Sequence, residues 1–184
     1  MAEPRNHPLI DQAGRLLSGW SAPDVAQARL RSEFVRHVSA HRDSMFRSCG
    51  DGHITASGIV LDHSHRRVLL TLHPRLGRWV QMGGHIEPED LTVEAAALRE
   101  AAEESGIADL ALDPVPVELD IHAFDCPRGR PNRHLDVRFR VTAPDGAAAR
   151  CSDESLAVEW FPVTALPSGL DAGTVRLIAR AIAR

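Results

Sequence analysis

Glu100, Glu103 and Glu104 stand three and four residues apart in the stretch GGHIEPEDLTVEAAALREAAEESGI, which runs from Gly83 to Ile107. On an α-helix such positions are surface neighbours, so the three carboxylates share one side of the helix that carries them. Like charges at this spacing weaken an isolated helix by roughly a few tenths of a kcal/mol per pair, and a compensating cation is the natural remedy. Hard oxygen donors favour Mg²⁺ or Mn²⁺ over zinc. Leu91, Ala95, Leu98 and Ala102 recur on the other side, so the helix is expected to bury that face and hold its acids toward a site. The bland alternative is a solvated acidic helix stopped by Gly106.

The same residues resemble the signature box of the Nudix hydrolases, which runs Gly, five residues, Glu, seven residues, then Arg-Glu-apolar-x-Glu-Glu-x-Gly-apolar. Arg99, Glu100, Ala101, Ala102, Glu103, Glu104, Ser105, Gly106 and Ile107 match its second half without a fault. The first half departs. Counted from Gly84, the acid position holds Asp90 instead of Glu, and eight residues separate it from Arg99. Glu87, Glu89 and Asp90 are therefore three candidate partners for Arg99.

The resemblance covers the chain from about Gly52 onward and implies an α/β/α sandwich around a mixed β-sheet. The activity it implies is metal-dependent hydrolysis of a pyrophosphate linkage in a nucleoside diphosphate derivative or related phosphorylated small molecule. By position in the motif, Glu100, Glu103 and Glu104 would be catalytic metal ligands, the Gly83 carbonyl a further ligand, and Arg99 the residue that orients the glutamates. The segment Ser152-Asp153-Glu154, ahead of Val158 to Pro162, is similar to a late acidic loop that places an acid near the metal in some members. With the box glutamates committed to metal, Glu154 or Asp153 is the expected general base. Two other readings remain: a non-catalytic Nudix-like domain that binds a nucleotide or sugar phosphate, and an isomerase of isopentenyl-diphosphate type. Binding domains of the first kind usually lose box glutamates that this chain keeps. The second needs a cysteine beside a helical acid, and neither Cys49 nor Cys126 has that context.

Composition narrows the field from another side. At 184 residues with a net charge of -4, the chain is long enough for one domain with an appendage and gives no electrostatic reason to expect nucleic acid. Its three cysteines are unpatterned, which argues against a disulfide framework and suits a cytoplasmic location. No apolar run approaches a membrane span. Every basic residue outside the histidines is arginine, and three of these, Arg128, Arg130 and Arg133, crowd a Pro-Gly loop. Guanidinium groups suit phosphate oxygens, so Arg128, Arg130 and Arg133, with Arg138 on the following strand, are the expected substrate contacts.

The elements that must position these groups follow from periodicity. Residues 1–51 read as an N-terminal helical extension, and the resemblance makes 52–184 the Nudix domain. Ser21 is the expected cap of a helix in which Ala26, Leu30, Phe34 and Val38 recur in steps of four. That helix could pack on its own core, contact a second copy in a homodimer, or bind a partner, and packing is the default. From His53, apolar residues on both faces predict a central strand, followed by a hairpin into Val68 to Leu72. In that turn His63 and His65 serve the turn's need for polar residues better than a metal. Val115 to Phe124 and Leu135 to Thr142 predict an antiparallel pair, the second strand alternating Leu135, Val137, Phe139 and Val141 with polar residues. Val175, Ile178, Ala179 and Ile182 predict a terminal helix that packs on the core.

Overall fold

The computed structural model describes residues 7–125, 131–151 and 155–184. In chain order it contains helices α1 (Pro8–Gly19) and α2 (Val25–Ala40), then strands β1 (His53–Leu61), β2 (Arg67–His73), β3 (Arg78–Val80) and β4 (Met82–His85). Helix α3 (Val93–Ser105) follows, then β5 (Ala111–Leu112), β6 (Glu118–Asp125), β7 (Pro131–Thr142), β8 (Ala157–Pro162) and helix α4 (Ala172–Ile182).

Strand β1 is buried along its whole length and organises a curled mixed sheet. On one side it runs parallel to β7, from His53 opposite His134 to Leu61 opposite Thr142. Its other side is shared by two antiparallel partners, β4 along Thr55 to Gly58 and β2 along Val60 and Leu61. Strands β3 and β8 extend the sheet from β2, while β5 and β6 pair with β7.

Alternation divides the sheet into two unlike faces. Ile54, Ala56, Leu135, Val137 and Phe139 point to one side, where they join Phe34, Val38 and Met45, together with Val93, Ala96 and Ala97 of α3, in one apolar core. On the other side Ile59 and Leu61 pack under Leu177, Ile178 and Ala181 of α4. Further along that second face of β1, His53, Thr55 and Ser57 are polar and buried. Three helices on one face and one on the other make the α/β/α sandwich.

Several local expectations shift. Helix α1 is an additional element, built on Leu9, Ile10, Ala13 and Leu17, all buried at helical spacing. Asp24, not Ser21, caps α2, accepting from Gln27 N at 2.8 Å, and Ala26 is exposed. In α3 the buried stripe is Val93, Ala96, Ala97 and Ala101; Leu91 is 84% exposed because the helix starts only after the Thr92 cap. In α4 the buried stripe is Thr174, Leu177, Ile178 and Ala181, leaving Val175 and Ile182 outward.

The N-terminal helices are fastened by polar contacts as well as by apolar ones. The Gln27 amide donates to Leu119 O at 3.0 Å and accepts from Leu119 N at 2.7 Å, so a side chain completes the outer edge of β6. Gln12 bridges Glu94 and Val93 N at the start of α3, at 2.7 and 3.1 Å. Phe34, fully buried where α2 meets the sheet, ties these helices to the core. Phe34→Ala should lower the unfolding free energy by about 3–5 kcal/mol. A single urea transition shifted by that amount is the expected result, and an unshifted midpoint would mean that α2 packs too loosely to matter.

Candidate active site

The acids of α3 are placed by the small residues around them. Ala97 and Ala101 let the helix lie against β1, where a Cβ added at Gly58 would touch Ala101 Cβ at 3.4 Å. One step around the helix, Glu100 and Glu104 come alongside β4. There Gly84 has no side chain to obstruct them: a Cβ at that position would lie 2.6 Å from the Glu100 carboxylate. Gly83 is pressed equally hard on Ser57, whose Cα would lie 2.6 Å from an added Cβ, and its N–H donates to Glu104 Oε2 at 3.3 Å. Glu103 is the exposed member of the three, its side chain 61% accessible against 14% for Glu100.

Arg99 joins this helix to the loop before it. Its Nε and NH2 grip Asp90 in a two-point fork at 3.1 and 2.9 Å, NH2 also donates to His85 O at 3.0 Å, and NH1 donates to Glu100 at 2.9 Å and Glu103 at 3.1 Å. Asp90 is therefore the partner among the three candidate acids, and Glu87 and Glu89 are exposed. The shorter acid reaches because the extra residue lets the loop turn back on itself, with Glu87 N donating to Asp90 Oδ2 at 2.8 Å. Burial alone would raise the Asp90 pKa, but hydrogen bonds from Arg99 and Glu87 N, with the Arg99 charge, hold it below the ordinary carboxylate value. The Arg99 guanidinium is held more firmly protonated, chiefly by its bond to Asp90.

These residues border a cavity of about 860 Å³, and Gly83, Arg99, Glu100, Glu103 and Glu104 all line it. Its floor is the polar half of the sheet. Arg138 lines it too, but with its guanidinium engaged by three carboxylates: Asp136 at 2.8 Å, Asp120 at 3.0 Å and Glu118 at 3.1 Å. The alternating polar face of β7 is therefore buried in a charge network, not solvated. Arg176 of α4 reinforces the network at Glu118 and Asp120, at 3.0 and 3.1 Å. Burial opposes ionisation of Asp120, but His122, Arg138 and Arg176 together hold its pKa below the usual value. Arg133 turns outward to pair with Glu33 of α2. Arg128, Arg130, Asp153 and Glu154 lie outside the described residues.

Sequence reading overlooked the histidines. His53 and His134 are direct register partners on β1 and β7, His122 faces His134 from β6, and His85 pairs with Thr55, two residues along β1 from His53. The alternation of His53, Thr55 and Ser57 with Ile54, Ala56 and Gly58 marks a polar face of that strand, but not the partners that meet His53 there. Burial, more than the neighbouring cations, pushes His53 and His134 each down to about 4.

The NUDIX domain family matches residues 52–181, well over half of the chain. This protein belongs to the Nudix family. It is accordingly a hydrolase of the Nudix type, with every glutamate of the second half of the box in place. A Nudix-family hydrolase from Clostridium perfringens shares the fold at a TM-score of 0.55 and 23% identity, covering 71% of this chain and 96% of its own. The dihydroneopterin triphosphate pyrophosphohydrolase of E. coli gives 0.53 and 20%, covering 71% of this chain and 94% of its own. An Ap4A hydrolase from C. elegans gives 0.53 and 17%, with 71% and 95% covered. No curated protein matches the chain.

The buried imidazoles make stability depend on pH in a defined direction. An unfolded histidine takes a proton near 6.5, whereas His53 and His134 in the fold do so only at about 4. Between those values the unfolded chain binds more protons, so the unfolding free energy should fall as pH is lowered through that window. Urea midpoints measured across it should show a shallower slope for His134→Gln than for the parent. Equal slopes would mean that His134 is protonated in the fold as readily as in the open chain.

Proposed function

We propose that this enzyme hydrolyses a pyrophosphate linkage in a nucleoside diphosphate derivative or a related phosphorylated small molecule, with Mg²⁺ or Mn²⁺ as cofactor. The observation that carries the reading is the gathering of Glu100, Glu103 and Glu104 at one cavity of about 860 Å³, Glu100 and Glu104 against the bare Gly83–Gly84 backbone and Glu100 and Glu103 held by Arg99. The donor set fits the ion. Three carboxylates and a backbone carbonyl are all hard oxygens, and the carboxylates meet a strand that offers no side chain in their way. Bound there, the cation would offset charge on the departing phosphate and lower the pKa of a water.

The roles of the chain's own groups follow. Glu100, Glu103 and Glu104 hold the cation with the Gly83 carbonyl, and Arg99 fixes their orientation without touching substrate. Arg128 and Arg130 belong to the connection between β6 and β7 and supply guanidinium groups for phosphate, while Arg138, already engaged by three carboxylates, lines the cavity floor. Residues 1–51 act as a helical extension of a hydrolase domain spanning 52–184. Among the described residues no helix is long and apolar enough to cross a membrane.

Chelation should abolish hydrolysis of diphosphate compounds, assayed by release of phosphate or nucleoside monophosphate. Glu103→Gln and Glu104→Gln should each lower kcat by about 10²-fold or more while moving KM little, as lost transition-state electrostatics do. Full turnover after chelation would overturn the assignment.

The general base is placed on Asp153 or Glu154. A carboxylate that coordinates a cation is a poorer proton acceptor than a free one, so a second acid is wanted, and these two precede a strand of the sheet. Loss of the base should cost about 10²–10⁴ in turnover and remove the acidic limb of the pH–rate profile. If Glu154→Gln and Asp153→Asn both keep that limb, the base is Glu100 or Glu103.

A further inference from the structure

We propose that His53, His85 and His134 form a second cation site, for a borderline divalent ion such as Zn²⁺, Co²⁺ or Ni²⁺, beside the carboxylate site and built from different atoms. The sheet itself assembles it. Strand β1 has β7 on one side and β4 on the other, and the register sets His134 opposite His53 and His85 opposite Thr55, two residues along the same face. Three imidazoles from three strands thus converge on one spot. Their ring centroids lie 4.8 to 5.0 Å apart, and a nitrogen of each lies within 4.8 Å of the others.

The donors and their setting suit the ion class. Imidazole nitrogen favours zinc, nickel and copper, whereas the oxygens of the box favour magnesium, so one cavity offers two chemically distinct choices. A tetrahedral ion with nitrogen ligands at about 2.0–2.1 Å needs them about 3.3 Å apart, so a ring shift of no more than about 1.5 Å would close the set. His53 and His134 are buried and neutral at ordinary pH, the form that ligates. His85 and His134 also border the cavity, which leaves an open position for water or another ligand. Asp136, two residues along β7 from His134, supplies nearby negative charge.

One group competes with the ion. The exposed Arg47 reaches in so that its NH2 lies 2.9 Å from His85 Nδ1. A cation there opposes a second cation, so removing it should tighten binding.

The test uses the full-length, untagged chain carrying Glu100→Gln, Glu103→Gln and Glu104→Gln, which silences the carboxylate donors. Added Co²⁺ is followed by its visible ligand-field bands, and Zn²⁺ by equilibrium dialysis. The expected result is one retained ion with the bands of a low-coordinate, nitrogen-ligated Co²⁺. In the same background His134→Gln should weaken binding by at least about tenfold, since losing even a partner of a metal ligand costs about 10–100-fold. Arg47→Gln should strengthen it. The proposal is overturned if the triple variant retains no ion, or if Arg47→Gln leaves the Zn²⁺ affinity unchanged. That second variant alters an exposed side chain and decides the matter even where His134→Gln fails to fold.

Discussion

The fork between Arg99 and Asp90 is the contact on which the rest of the site depends. One guanidinium is shared by a loop carboxylate, the last carbonyl of β4 and two acids of α3, so helix, loop and strand cannot move apart without stranding a partly buried charge. The cation also relieves the repulsion that would otherwise spread Glu100 and Glu103. Arginine is suited to this because its planar fork meets a carboxylate at two points while a third nitrogen remains free to donate elsewhere. A lysine would deliver the charge without the geometry.

Behind the acids, the floor of the cavity is a costly construction. Glu118 is wholly buried, with Arg138, Arg176 and Arg180 within 3.0 to 3.3 Å. Desolvating so many ions brings little net stability, whereas removing one partner leaves an unmatched charge. The network does something apolar packing could not: it ties α4 to β6 and, through Arg180 and Asp24, to the N-terminal cap of α2. The cavity wall is thereby fixed from both ends of the chain.

Much of this was legible from spacing along the chain. Three acids at helical intervals, a glycine pair before them and a strand apolar on both faces are local patterns, and local patterns survive folding. What could not be read were matters of phase and pairing. Leu91 fits the expected stripe on α3, but the helix begins after it, and the smaller Ala96, Ala97 and Ala101 take the sheet side. Asp90 competes on paper with Glu87 and Glu89, and only the turn of the loop shows which one reaches Arg99. The histidines are about thirty and fifty residues apart in sequence and come together through strand register, which no periodicity within one segment reveals. Helix α1 was obscured because its four buried apolar residues are interleaved with charged and small ones.

The parallel pairing of β1 with β7 also bears on how the molecule comes into being. His53 to Leu61 must wait for residues 134–142 before the middle of the sheet exists, and the intervening hairpins and the acid helix have by then already emerged. Closing so long a loop costs entropy before any contact repays it, which places the central ladder late and makes folding slow relative to a helical bundle of this size. During synthesis, therefore, a ribosome-bound chain ending before about residue 140 would carry the whole box and yet have no floor beneath it.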